Sequence, residues 1–248
     1  MKKNKLLLLL LTFLVVFVSC SDDDDAPAYE QVLLNHAASD GLYGKVKSTE
    51  TISYYSDWDS EKESILVSNP DSKIVKAYDS RGYMTGYAYY WYESNETSQY
   101  NLIHSESYKY DKRYRKILIE TEDYYNYKQK LDVSYDDKSK KGTVIVYTWN
   151  EEKKEYEKTS TKVYPLLANG TLDESVYEEY REYNGYYYGR LHKSKSTASP
   201  SHTKERVVVK EDGKNWITSY MLDKDFDVDG KVYYKYGYDF QERVITYY

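Results

Sequence analysis

From Lys45 to the end of the chain, apolar and polar residues alternate with a period of two, the repeat of a half-buried β-strand. The clearest unit is Tyr135 to Tyr164, which reads as strand, turn, strand. Within it Thr143 to Trp149 is β-branched and aromatic, with Ile145, Tyr147 and Trp149 on one face and Val144, Val146 and Thr148 on the other. The density of that strand predicts that Trp149 is buried in a central strand. Earlier, Val46, Ser48, Glu50, Ile52 and Tyr54 share a parity, a turn is expected at Asp57 to Ser60, and Asn69-Pro70-Asp71 is expected to stop the next strand. A helical period occurs once with conviction: Tyr29, Val32, Leu33 and His36 stand at i, i+3, i+4 and i+7 and predict one short helix ending near Gly41. Leu172 to Arg181 has room for a brief turn of helix.

A degenerate motif punctuates the alternation: an aromatic, Asp, a few polar residues, a basic residue, then an apolar strand. It occurs at Tyr78-Asp79, Tyr110-Asp111, Tyr135-Asp136, Phe226-Asp227 and Tyr238-Asp239, with weaker copies at Asn169-Gly170 and Asp212-Gly213. Asp, Asn and Gly accept the positive φ angles of tight turns, so each copy predicts a hairpin. Spacings are too uneven for a solenoid. The expected fold is therefore all-β: an antiparallel meander of repeated hairpins forming a curved or single-layer sheet with one short N-terminal helix. A β-sandwich or propeller-like arrangement is the alternative. Ser194 to Thr203, with Pro200, reads as a long exposed loop.

Composition changes the picture of the core. After position 19 the chain has 38 Leu, Ile, Val and Phe residues, few enough to suggest disorder, but also 34 Tyr and 4 Trp. Each aromatic ring can bury roughly 150–250 Å², so tyrosine becomes the main apolar material. Because a buried phenol needs a hydrogen-bond partner, such a core favours a thin sheet with hydroxyls reaching its rim.

The first residues have the three parts of an export signal: Lys2, Lys3 and Lys5, an apolar run from Leu6 to Val18, then Ser19-Cys20. The run is shorter than the ~20 residues a membrane span needs. Removal of that segment leaves 32 basic against 41 acidic residues, a net charge of −9, and weakens any general nucleic-acid reading. Cys20 is the only cysteine, which excludes disulfides within the chain. Phe17-Val18-Ser19-Cys20 resembles the lipobox of bacterial lipoproteins, with Phe17 where leucine is usual. That resemblance implies an acylated Cys20 at the mature N-terminus. Ser21-Asp22-Asp23-Asp24-Asp25 resembles the acidic signal that sends lipoproteins of Bacteroidota-type bacteria to the cell exterior. The implied organisation is a signal peptide over 1–19, a lipidated Cys and acidic tether over 20–28, and a single tyrosine-rich β domain over 29–248.

The Tyr-x-Tyr-Asp turns resemble the YD repeats of secreted bacterial proteins. Together with Tyr147 to Glu152 they are similar to a group of uncharacterised tyrosine-rich Bacteroidota lipoproteins. The resemblance covers about residues 75–248 and implies an architecture without implying an activity.

Candidate chemistry is sparse. Asp225, Asp227, Asp229 and Gly230 match the start of a calcium loop, but the twelfth position is Tyr236 where a bidentate glutamate belongs, and the hairpin pattern accounts for the same residues. Glu120, Glu122, Asp123, Glu178, Glu179 and Glu182 could supply a glycosidase pair, although charged residues are also what the outer face of a thin sheet requires. His36 on the helical stripe could be a ligand, although such a residue more often packs at an edge; His104, His192 and His202 lack metal-ligand spacing, and no nucleophile, phosphate-loop or dinucleotide motif occurs. Tyr83, Tyr87, Tyr89 and Trp91, and likewise Tyr186 to Tyr188, could stack on sugars or a partner protein. The expectation is a non-enzymatic surface lipoprotein, without cofactor, whose sheet binds a glycan or protein. A structural envelope protein and a carboxylate-based hydrolase are the alternatives.

Overall fold

A computed structural model describes residues 35–94, 98–181, 202–226 and 232–248. Eleven strands form one open antiparallel sheet: β1 (Val46–Asp59), β2 (Ser64–Tyr78), β3 (Met84–Glu93), β4 (Gln99–Tyr110), β5 (Lys116–Asp123), β6 (Lys128–Asp136), β7 (Lys141–Asn150), β8 (Glu155–Pro165), β9 (His202–Asp212), β10 (Asn215–Phe226) and β11 (Val232–Tyr247). The spatial order is β8-β7-β6-β5-β4-β3-β2-β1-β11-β10-β9. The first eight strands are the expected meander. The last three form a second meander that joins the other edge, where β11 pairs with β1 from Val46↔Tyr247 to Tyr54↔Phe240.

Six of the described hairpin turns fall into two kinds, and an Asp or Asn side chain organises both; the β9–β10 turn instead uses Gly213 (φ 61°). In the first, the carboxylate at position i accepts the amides of i+2 and i+4. Asp79 does so from Arg81 and Tyr83, Asp111 from Arg113 and Arg115, and Asp123 from Tyr125 and Tyr127. The residue at i+3 is left-handed in each: Gly82 (φ 87°), Tyr114 (φ 61°) and Asn126 (φ 60°). In the second, Asp59, Asp136 and Asn150 accept from i+2 and i+3. There the left-handed residue is i+4: Glu63, Lys140 and Lys154. Turn amides that have no strand partner are thus satisfied locally, as a surface hairpin requires. The Tyr238-Asp239 copy departs from the pattern. Asp239 (φ 54°) lies inside β11, at the register shift against Ser219 and Met221 of β10, so its left-handed backbone makes a bulge instead of a turn.

Among the described residues, two helices sit on one face of the sheet. α1 (His36–Ser39) is capped by Asn35, whose Oδ1 accepts the Ala38 amide at 2.7 Å. Asn35 itself is extended (ψ 144°), so this helix begins at His36; Tyr29, Val32 and Leu33 of the expected stripe lie outside the described residues. Gly82 is required beneath this cap, because its φ is positive and a Cβ there would lie 2.8 Å from the Asn35 side chain.

α2 (Glu174–Arg181) is the second helix, two turns where a brief turn was expected. Asp173 caps it by accepting the Ser175 amide and hydroxyl. Its lead-in Leu172 and its Val176 and Tyr177 bury against the ladder Tyr108, Ile119, Leu131 and Val146, four residues in direct register across β4 to β7. Gly142 admits Leu172, since a Cβ would stand 2.7 Å from Leu172 Cδ2.

This packing reverses the expected orientation of β7. Val144 (0% exposed) and Val146 (3%) face the core, whereas Ile145, Tyr147 and Trp149 take the other face and are only half-buried. Strand β7 is also next to the sheet edge and not central. Alternation paired the residues correctly, but the cover supplied by α2 chose the face. Asn69-Pro70-Asp71 likewise does not end a strand, because β2 runs through it. Pro70 pairs with Tyr54 at a register shift, and β3 begins to pair only at Ser72, so its missing amide disrupts no ladder on that side.

Tyrosine hydroxyls find partners as the composition requires, but the ones under the helices do so within the covered face and not at a rim. Tyr135 donates to Lys116 O at 2.8 Å, Tyr110 to Met84 O at 2.6 Å and Tyr78 to Asp40 at 2.7 Å.

Candidate functional site

The described helices cover one end of their face, and among the described residues the other end, by the β5–β6 turn, is not covered by a helix. A cavity of about 590 Å³ occupies this end. Its position follows from an irregularity in β4. Tyr89 pairs with His104 but Tyr90 pairs with Leu102, so Ile103 is an extra residue. The bulge places Trp91 opposite Asn101 on the helix-bearing face, and the Ile103 carbonyl accepts the Tyr124 amide at 2.9 Å. That bond pins the β5–β6 turn over β4.

The wall is aromatic. Trp91, Tyr92, Tyr124, Tyr125 and Tyr127 line it, joined by Tyr55 of β1 and Tyr180 of α2. Trp91, Tyr55, Tyr124 and Tyr125 are each more than half exposed, although a ring of this size is ordinarily covered. Tyr124 and Tyr125 meet edge to face at 5.3 Å and 82°. A hydrogen bond to Asp71 raises the Tyr55 phenol above its ordinary pKa. The Asp123 turn that carries the tyrosines is fixed by its two amide bonds, so the backbone beneath the rings is set in advance of any ligand.

Polar groups stand between the rings: Asn69, Asn101, Glu93, Glu122, Asp123 and His104, and no Lys or Arg among the described lining residues. Each carboxylate is already engaged. Glu93 accepts from Asn101 Nδ2 at 2.9 Å, Glu122 pairs with Lys128 at 3.0 Å, and Asp123 holds its turn. At the floor His104 Nε2 lies 2.8 Å from Glu106 Oε1, and Tyr108 donates to the other oxygen of the same buried carboxylate. This line of three side chains along β4 closes the cavity toward the core.

The structure distributes the sequence candidates unevenly. Tyr87, Tyr89 and Trp91 do share one face of β3, and Trp91 enters the cavity. Tyr83 does not belong to that row, being buried in the β2–β3 turn. His36 is structural: its Nδ1 accepts the Met84 amide at 3.1 Å, and burial lowers its pKa. Glu120 bonds Ser107, and Glu179 bonds Tyr164 and Lys162. Cys20, Ser21, Asp22, Asp23, Asp24 and Asp25 lie outside the described residues, as do Glu182, Tyr186 to Tyr188, His192, and nearly all of the Ser194–Thr203 loop. Asp227, Asp229 and Gly230 also lie outside, together with the side chains of Asp225 and His202. Among the described residues no group of three or more His, Cys, Asp or Glu side chains is placed to hold a metal ion. Sequence reasoning missed the Asp123 turn because no aromatic precedes that aspartate. The run Tyr124-Tyr125-Asn126-Tyr127, an asparagine among tyrosines just after an Asp, was the available signal.

No family model matches the chain, and no curated protein does. Similar solved structures come from Bacteroides. A DUF3836 family protein of Bacteroides vulgatus is 21% identical, over 34% of this chain and 88% of that one, with a TM-score of 0.28. A protein of unknown function from Bacteroides fragilis is 11% identical over 71% and 92%, at 0.30. A porin-like protein of Bacteroides uniformis is 10% identical over 81% and 98%, at 0.31. Superpositions of this quality carry no argument about function.

Proposed function

We propose that this chain is a lipid-anchored protein of the outer-membrane surface that binds a glycan in the aromatic cavity, without catalysing a reaction. The observation that carries the reading is the cluster of four largely exposed rings, Trp91, Tyr55, Tyr124 and Tyr125, around a preformed space of sugar-binding size. Sugar rings present C–H faces that stack on aromatics, and their hydroxyls would find Asn69, Asn101 and the Glu93 carboxylate between the rings. The three bordering carboxylates favour binding over hydrolysis, because each is committed to a turn amide, an amide side chain or a lysine. The lipobox-like Cys20 and the Asp22–Asp25 run support the location. No nucleic-acid role is proposed, since the chain is acidic and the cavity has no basic lining among the described residues.

The test is a glycan screen with a soluble form spanning residues 26–248, followed by the Trp91→Ala variant. Loss of one stacking ring is expected to weaken binding about tenfold or more, with an unchanged urea midpoint. Glycan binding that survives both Trp91→Ala and Tyr125→Ala would overturn the assignment of this cavity. Release of shortened sugar products by the wild-type protein would overturn its non-catalytic role.

A further inference from the structure

The outermost strand β9 is complementary to itself. No described strand lies beyond it, and it is long: eleven residues, Thr203-Lys204-Glu205-Arg206-Val207-Val208-Val209-Lys210-Glu211-Asp212 following His202. Val208 and Val209 are 39% and 58% exposed in its middle. A strand edge of this length with exposed apolar residues at its centre is a template for pairing with another chain. What distinguishes it is the order of its charges.

Pairing with β10 shows which side chains of β9 share a face. Lys204, Arg206 and Val208 lie opposite Asp223, Met221 and Ser219, while Glu205 and Val207 lie opposite Leu222 and Tyr220. The register then shifts at Val209, which is extra, so Lys210 falls opposite Thr218 and joins the face of Glu205 and Val207. Glu211 lies opposite Trp216, whose ring stacks under Arg206, and so joins the face of Lys204. A two-fold antiparallel contact between two copies of β9 must match faces as well as charges. Centred on Val207, it places Val207 against the partner's Val207, Glu205 against the partner's Lys210, and Lys204 against the partner's Glu211. By symmetry that makes four ion pairs of opposite sign around a Val207–Val207 contact, with each Arg206 against the partner's Val208. Without the bulge at Val209 the same residues would fall on opposite faces and no such match would form.

We infer that β9 is a homodimer interface, through which two copies of this chain join their sheets edge to edge. The occupant is a second copy because the pattern is its own complement; charges placed merely to guard an edge would repel a copy of themselves. Main-chain hydrogen bonds supply most of the attraction, and the charge order fixes register. The contact is small, so the dimer is in equilibrium with monomer. This inference does not rest on the glycan reading.

The experiment uses the detergent-solubilised full chain and two single variants, Glu205→Lys and Lys210→Glu. Either variant alone brings like charges together at two places and is expected to weaken dimerisation about tenfold or more in sedimentation equilibrium. Mixed together, the two variants restore both pairs, one in its native sense and one with signs exchanged, so heterodimers are expected at wild-type strength. That result also shows that neither variant has simply misfolded. In parallel, Val207→Cys should form a disulfide-linked dimer under mild oxidation, whereas Val163→Cys on the opposite edge strand should not. Wild-type protein that sediments as a monomer at all concentrations, a mixture no more dimeric than its components, or equal cross-linking from Val163→Cys would each overturn the proposal.

Discussion

Tyr83 lies flat on Tyr114, with ring centroids 4.3 Å apart and planes 2° apart, although the two residues belong to different hairpin turns. Arg81 completes the contact, its guanidinium 4.2 Å above the Tyr114 ring and its Nη1 donating to the Tyr114 hydroxyl at 2.6 Å. The next turn repeats the idea, with Arg115 over Tyr135 at 4.1 Å and bonded to Asp111 and Asp137. Successive Tyr-Asp turns are therefore linked side by side along one end of the sheet. At Asp79, Asp111 and Asp136 the motif thus supplies aromatic, anion and cation to a neighbouring turn.

Tyr114 and Lys140 both occupy left-handed backbone, where a side chain costs about 1–2 kcal/mol. Lys140→Gly should raise stability by about 0.5 kcal/mol once the extra freedom of the unfolded glycine is counted. Tyr114→Gly gains the same relief but loses a stacked ring pair and a cation–π contact, and should be destabilising by about 1 kcal/mol. Urea midpoints of the two variants should move in opposite directions; a stabilising Tyr114→Gly would mean that the inter-turn stack contributes little.

The parts of this fold legible in the sequence are the local ones. Asp79, Asp111 and Asp136 turn where the motif places them because each satisfies its own amides without help from distant residues. The strand order is not local: β11 lies beside β1, and nothing in either strand marks the other as its partner. The cavity depends on one extra residue, Ile103, in a strand whose alternation is otherwise continuous, so the period-two pattern shows Trp91 on a face but not the space in front of it. His36 and Tyr83 show the converse, where residues that could be ligands are consumed by a cap and a turn.

Stability should decline steeply in alkali. Burial, its main cause, pushes the Tyr135 phenol up to about 12, and burial together with the Glu242 hydrogen bond does the same for Tyr54. Tyr78, Tyr110 and Tyr177 are also raised by burial. Unfolded tyrosines ionise near pH ~10, so the folded state retains protons that the unfolded state has lost. The contribution is complete below that pH and disappears as pH rises toward 12. Urea midpoints measured from about pH 9 to about pH 11.5 should fall continuously, and Tyr135→Phe should make the fall shallower. A flat profile would show that these phenols are not shielded.

Anchoring can be tested separately from folding. Cys20→Ala should abolish incorporation of a labelled fatty acid and release the protein from membranes, with an unchanged circular dichroism spectrum, since the described sheet begins well after the acidic run. Equal labelling of both proteins would remove the lipoprotein reading.

The reversal of β7 gives the sharpest comparison of core and surface. Leu131 is 2% exposed and sits in the ladder beneath α2, between Ile119 and Val146. Trp149 lies on the face opposite α2, half-buried, and meets the ring of Tyr156 edge to face at 5.2 Å. Leu131→Ala leaves a cavity under a helix that cannot follow it inward and should cost about 2–5 kcal/mol. Trp149→Ala removes a cross-strand pair that solvent can replace, and should cost about 1–2 kcal/mol despite the larger side chain. Side-chain size alone predicts the opposite order. Urea titration of the two variants decides between them: a larger loss from Trp149→Ala would place the core on the other face of β7 and detach α2 from the role assigned to it.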